Sequence, residues 1–162
     1  MKTSLCILSI CLLLASCKQP HVDKSKEQYV TQLDVLMDGW HQAAAVADED
    51  IFFGLLDSNA VYLGTDPGER WLKQEFMDWG MKYFQRDTAW DFVPYNRVWC
   101  FSEKFDYAWF DELLETHMGV CRGSGVLKKC ENEWKIVQYN LALTLANDKM
   151  NDFRELQNVP LK

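Results

Sequence analysis

The polar side chains with the clearest chemical potential are Glu112, Gln138 and Asn140, which interrupt runs that otherwise alternate as β-strands. If Met118-Gly119 and Glu131-Asn132 form two-residue turns, cross-strand partners follow by arithmetic and share one face of the sheet. One face then holds Phe110, Glu112, Leu114, Cys121, Gly123, Gly125, Leu127, Ile136, Gln138 and Asn140. Gly125 falls opposite Glu112 and Gln138, and Gly123 opposite Asn140, so side-chain volume is missing beside the polar groups. Polar groups beside missing volume describe a cavity that orients a ligand by hydrogen bonds. The same residues admit a second arrangement, in which the glycines mark bends in a curved sheet and the polar groups satisfy one another. A one-residue bulge would exchange the faces and bring in Asp111, Arg122 and Ser124 instead.

The opposite face carries Trp109, Val137, Tyr139, Leu141 and Leu143, with Arg122 facing Glu115 as a cross-strand ion pair. So apolar an outer face points to a homodimer formed through it. Asp66-Pro67 with Glu69 three residues on has capping-box spacing with Pro at the first helical position. No nucleophile elbow, phosphate loop or metal motif is present, so no cofactor and no metal are expected. Cys100, Cys121 and Cys130 lie outside any CxxC or HxxxH pairing and are expected as small buried apolar groups.

These residues must be positioned by the elements around them. Glu27 to Ala47 repeats apolar residues every three or four positions through Leu33, Leu36, Met37, Trp40 and Ala44, which is one face of a long helix. A short helix is expected over Ile51–Leu56 with Asp50 as its cap, a strand over Ala60–Thr65, and a third helix over Leu72–Phe84. Four strands follow, at Ala89–Phe101, Tyr107–Thr116, Cys121–Cys130 and Trp134–Leu145. This order is α+β, with three helices and one strongly bent sheet. The domain is expected over residues 27–148, with a polar tail over residues 149–162.

The N-terminus reads as an address. Lys2 precedes an apolar run from Leu5 to Ala15, far shorter than the roughly 20 residues that span a bilayer. Leu14-Ala15-Ser16-Cys17 resembles a bacterial lipobox. Residues 1–16 are therefore expected to be a removed signal peptide, Cys17 to be lipidated, and residues 17–26 to form the tether. That places the domain in the cell envelope on a membrane anchor, facing the periplasm or the cell surface. A chain of 162 residues accommodates one domain, and 48% apolar content excludes a disordered protein. A net charge of −7 argues against nucleic acid as a partner, because phosphate neutralisation needs clustered Lys and Arg.

Four words carry a resemblance: Gly64-Thr65-Asp66-Pro67-Gly68-Glu69-Arg70-Trp71, Trp109-Phe110-Asp111-Glu112, Arg122-Gly123-Ser124-Gly125-Val126-Leu127, and Trp134-Lys135-Ile136 with Tyr139-Asn140-Leu141. In this order, over about residues 32–148, they resemble the SnoaL-like branch of the nuclear transport factor 2-like superfamily. The resemblance implies a cone-shaped α+β fold in which a bent, mixed sheet wraps a long N-terminal helix around a cavity. It also implies reactions such as those of ketosteroid isomerase, scytalone dehydratase and polyketide cyclases, alongside members with no known reaction. By it, Asp66 matches the isomerase's general base, Trp40 falls near its oxyanion-hole tyrosine, and Glu112 near its second acidic donor. An indole N–H donates a hydrogen bond but cannot serve as an acid, which argues against steroid-type enolisation.

Three functions follow. In the first, a small apolar or aromatic ligand sits among Trp40, His41, Trp71, Trp79 and Phe110, oriented by Glu112, Gln138 and Asn140. In the second, a cofactor-independent isomerase, dehydratase or cyclase uses Asp66 as base, with Glu112 or Trp40 as donor. In the third, the cavity is filled and the protein is a dimeric interaction module. Whether any reaction is catalysed is open among these.

Overall fold

The computed structural model describes residues 24–131 and 133–157; the signal segment and Cys17 lie outside the described residues. Helix α1 (Lys24–Ala45) presents Leu33, Met37, Trp40, His41 and Ala44 to the core, as its period requires. It ends where Ala47 adopts a left-handed φ of 54° and the Asp48 N–H donates to Ala43 O at 2.8 Å. Helix α2 (Glu49–Gly54) follows at once. Its cap is Asp48, not the expected Asp50: the Asp48 carboxylate accepts the Ile51 N–H at 3.0 Å.

Strand β1 (Leu56–Leu63) turns through residues 64–69 into a three-residue strand, β2 (Arg70–Leu72), too short to read from pattern. Helix α3 (Lys73–Phe84) starts seven residues after Asp66, so Asp66 does not cap it. The Glu75 carboxylate takes the Leu72 N–H at 2.8 Å instead. Strands β3 (Val93–Phe101), β4 (Tyr107–Thr116), β5 (Gly119–Cys130) and β6 (Glu133–Leu143) complete the sheet. A short 3-10 turn then leads into helix α4 (Met150–Leu156), so part of the expected polar tail is helical. The sheet order is β2-β1-β6-β5-β4-β3, with β1 parallel to β6 and every other neighbouring pair antiparallel. This is the expected α+β cone with a mixed, curled sheet and a long N-terminal helix, and among the described residues it has one α-helix more than expected.

Two register details decide what points inward. The β4–β5 turn is His117-Met118, so Glu112 pairs with Gly123 and Phe110 with Gly125. Gly119, at φ 94°, then pairs with Thr116. The turn lies one residue earlier than expected, which moves every cross-strand partner by two positions, and an even shift preserves the faces. Arg122 consequently faces Leu113, and its guanidinium reaches Asp111 Oδ1 at 2.7 Å rather than Glu115. The β5–β6 turn is as expected, since Cys130 pairs with Glu133. A one-residue bulge then follows on β6, between the Leu127–Ile136 and Val126–Gln138 pairs. Beyond it the faces of β6 exchange: Tyr139 and Leu141 turn into the core, Gln138 is exposed, and Asn140 faces outward. Because the bulge is confined to β6, Asp111, Arg122 and Ser124 stay on the outer face.

The core is largely aromatic. Trp40 stacks on Phe52 and meets Tyr139 edge-on, each with ring centroids 4.7 Å apart, and Tyr62 stacks on Phe76 at 3.9 Å. Of the three cysteines expected inside, Cys121 is buried, Cys130 half-buried and Cys100 exposed; all are free thiols. Cys100 points outward because its neighbours Trp99 and Phe101 take the inward positions of β3.

Candidate functional site

Glu112, on β4, is fully buried and forms the centre of an ion-pair hub. His41 of α1 meets its Oε1 at 2.7 Å, Arg97 of β3 donates from Nε to Oε2 at 2.8 Å, and the Tyr139 hydroxyl of β6 donates to Oε1 at 3.3 Å. Arg97 continues outward, donating from Nη1 to Asp34 Oδ1 at 3.1 Å and from Nη2 to Asp38 Oδ1 at 2.8 Å. Asp34 and Asp38 are one helical turn apart on α1, which places both carboxylates over the same guanidinium. Trp99 Nε1 also donates to Asp34 Oδ1, at 2.8 Å. Burial alone pushes the Glu112 carboxyl up, but the hydrogen bond and charge of His41 and then of Arg97 outweigh it and hold the group below the ordinary carboxylate range. Desolvation works to lower Arg97, and its carboxylate partners overcome this and raise it. Burial, followed by the charge of Glu112, keeps the Tyr139 hydroxyl protonated far above its usual range.

The glycines opposite the polar groups leave no empty space. A Cβ on Gly123 would run into the Tyr139 hydroxyl and lie 2.9 Å from Glu112 Oε1, and one on Gly125 would lie 2.7 Å from the Phe110 ring. The volume they free is occupied by those side chains, so the cone around Glu112 is filled.

An open cavity lies at one end of the cone. It encloses about 310 Å³ and is walled by Tyr62, Trp71, Phe76, Trp79, Tyr83, Trp90 and Phe92, with Glu69, Arg86 and His117 as its charged or titratable lining groups. Trp71 and Trp79 pack at 4.6 Å, and Trp79 and Trp90 lie nearly parallel at 6.2 Å. It is built by the β1–β2 turn with its flanking strands, one face of α3, the β4–β5 turn, Leu141 of β6, and, last, the segment through residues 89–92. The N–H groups of Ala89 and Trp90 both donate to Ala44 O, which pins that last segment across the end of α1.

The expected site residues therefore divide. Trp71 and Trp79 wall the open cavity. His41 and Glu112 meet in the hub. Trp40 is core, with its indole N–H donated to Phe52 O at 3.0 Å, and Phe110 packs on Trp99 at 4.7 Å. Gln138 and Asn140 lie on the outer side of the bulge. Asp66 is exposed on the β1–β2 turn, where its Oδ1 accepts the Gly68 N–H at 2.8 Å and its own N–H donates to Glu69 Oε2 at 3.1 Å. Sequence reasoning missed Arg97 and Trp90. Arg97 had one available signal: it alternates with inward Trp99, and a buried Glu112 requires a cation. Among the described residues no group of three or more metal-ligating side chains converges, and no helix is long and apolar enough to cross a membrane.

Solved structures share this architecture at low identity, which shows the fold. A nuclear transport factor 2-like protein of unknown function from Pseudomonas putida matches at TM-score 0.63 and 11% identity, covering 76% of this chain and 92% of that one. A Novosphingobium aromaticivorans protein provisionally named a scytalone dehydratase matches at TM-score 0.64 and 9% identity, over 76% and 89% of the two chains. A Parabacteroides distasonis protein provisionally named a ketosteroid isomerase matches at TM-score 0.56 and 17% identity, over 69% and 85%. No curated protein sequence matches the chain. The sequence pattern of the SnoaL-like domain matches residues 33–146, the stretch that runs from the buried face of α1 past the end of β6 and builds both hub and cavity, and the chain belongs to that family.

Proposed function

We propose that this domain binds a small aromatic or apolar organic molecule in the cavity at the end of the cone. The observation that carries this reading is the wall of Trp71, Trp79, Trp90, Tyr83 and Phe92 around an opening of about 310 Å³, a volume within the range of small-molecule sites. Flat rings stack on such walls, and Glu69, Arg86 and His117 are available to orient a polar substituent. Binding fits the geometry better than turnover. The Asp66 carboxylate is tied into an exposed turn, and the Glu112 carboxylate is consumed by the hub. Titration of the full chain with 2-naphthol, followed by tryptophan fluorescence, is expected to give saturable quenching. Trp71→Ala should weaken it by about tenfold, with an unchanged circular dichroism spectrum. Quenching without saturation, or an affinity untouched by Trp71→Ala, would reject the reading.

Two further parts of the proposal rest on other features. The lipobox ending at Cys17 supports export and a lipid anchor in the cell envelope. Exposed Val98, Trp109 and Val120 on the outer sheet face support pairing of two copies through that face.

A further inference from the structure

Tyr62 borders the aromatic cavity with only 8% of its surface exposed. Its ring stacks on Phe76 at 3.9 Å and on Tyr139 at 5.6 Å. Its hydroxyl has no hydrogen-bond partner among the described residues. Leaving a buried hydroxyl unpaired is costly, and folded proteins seldom do so. The hydroxyl is not sealed in, because among the described residues the unpartnered side-chain atom closed off from solvent is Trp134 Nε1. The Tyr62 oxygen therefore opens onto the cavity that the residue borders. Burial first, and then the charge of Glu69, hold its proton well above the usual tyrosine range. It stays a neutral hydroxyl that both donates and accepts.

The charges on this cavity come from separate elements. Glu69 belongs to the β1–β2 turn, where its Oε2 accepts the Asp66 N–H at 3.1 Å, and its field reaches the Tyr62 hydroxyl. A second anion is disfavoured beside it. The cations come from the end of α3. The Arg86 guanidinium lies 4.8 Å from the centroid of the Tyr83 ring, and the Lys82 ammonium 5.0 Å from the same ring and 5.3 Å from that of Trp79. Both rings are cavity walls. Arg86 and Lys82 are exposed, and neither has an ion-pair partner among the described residues. They are left so in a chain whose acidic side chains outnumber its basic ones, 24 to 17. A ligand carboxylate would supply the missing counter-charge. A neutral ligand hydroxyl suits the Tyr62 end, since it pairs in either direction and brings no charge against Glu69.

We propose that the cavity selects a hydroxylated aromatic carboxylate, bound with its hydroxyl toward Tyr62 and its carboxylate toward Arg86 and Lys82. The rings of the ligand lie between, against Trp71, Trp79 and Trp90. This preference rests on the binding proposed above and names the ligand class.

Three probes separate the two ends: 2-naphthol, 2-naphthoate and 6-hydroxy-2-naphthoate, each titrated into the full chain by isothermal titration calorimetry at low ionic strength. The hydroxynaphthoate is expected to bind tightest. Tyr62→Phe should weaken 2-naphthol and the hydroxynaphthoate about fivefold and leave 2-naphthoate unchanged, which also shows that the cavity is intact. Arg86→Gln should weaken both naphthoates about threefold and leave 2-naphthol unchanged. A hydroxynaphthoate no tighter than 2-naphthol, a Tyr62→Phe effect equal for all three probes, or naphthoate affinities untouched by Arg86→Gln would each overturn the proposal. The binding reading survives those results if 2-naphthol still saturates and still responds to Trp71→Ala. Absence of binding by all three probes would overturn both.

Discussion

Glu112 receives hydrogen bonds from side chains on three other elements, α1, β3 and β6, and its removal therefore strands more than one partner. Replacing it by Ala leaves Arg97 and His41 facing a void with no counter-charge. The expected cost is about 3–5 kcal/mol in denaturant unfolding. Glu112→Gln keeps the shape and loses only the charge, so it should cost less. The charge also sets a pH dependence. Because the folded carboxyl lies below its ordinary value of 4.5, its stabilisation is complete above that value and is lost as pH falls through the folded pKa. The gap in melting temperature between wild type and Glu112→Gln should narrow as pH drops below about 4.5. A gap that stays constant down to pH 3 would contradict a depressed pKa. At this scale the inward placement of Glu112 was legible, because side-chain parity survives an even register shift. Gln138 and Asn140 were misplaced because one extra residue on β6 reverses parity, and no turn residue or proline marks that bulge.

At the scale of the element, α1, α3 and β4 follow their periodicity within a few residues, since each buries one face over ten or more positions. The three-residue β2 has no room for a period and exists because β1 offers it an open edge. The hairpin joining β5 to β6 carries a local cost that can be removed. Glu131 is exposed and holds a φ of 52°, a conformation that glycine adopts without the steric penalty of a Cβ. Glu131→Gly should raise stability by about 0.5–1 kcal/mol, seen as a rise of about 3 °C in melting temperature. A fall would mean that the Glu131 side chain makes a contribution that outweighs its backbone strain.

For the molecule as a whole, the two faces of the sheet have different fates. The inner face is closed by α1 and the hub. The outer face presents Trp109, 46% exposed, opposite Cys100 of β3 and Val126 of β5, with the Arg122–Asp111 pair beside it. Sedimentation of the full chain in mild detergent is expected to show a dimer, and Trp109→Glu a monomer with an unchanged fold, because a desolvated carboxylate at the centre of such a patch is costly. A wild-type monomer at high concentration would remove the proposed pairing.

Sequence alone determined the class of the fold, the order of its elements and the family words, because helix and strand periods report directly which residues face a core. It also determined that Glu112 points inward among apolar neighbours, and it singled out Trp71 and Trp79, which wall the open cavity. Tertiary structure decided the rest. His41, Arg97 and Glu112 meet across elements far apart in the chain, and no local pattern encodes which buried cation a buried carboxylate will find. Likewise, the glycines beside Glu112 accommodate rings rather than a ligand, because the β6 bulge turns Tyr139 into the space. The open volume moved to the end of the cone, where residues 89–92 fold across α1 and bring Trp90 and Phe92 beside the tryptophans of β2 and α3.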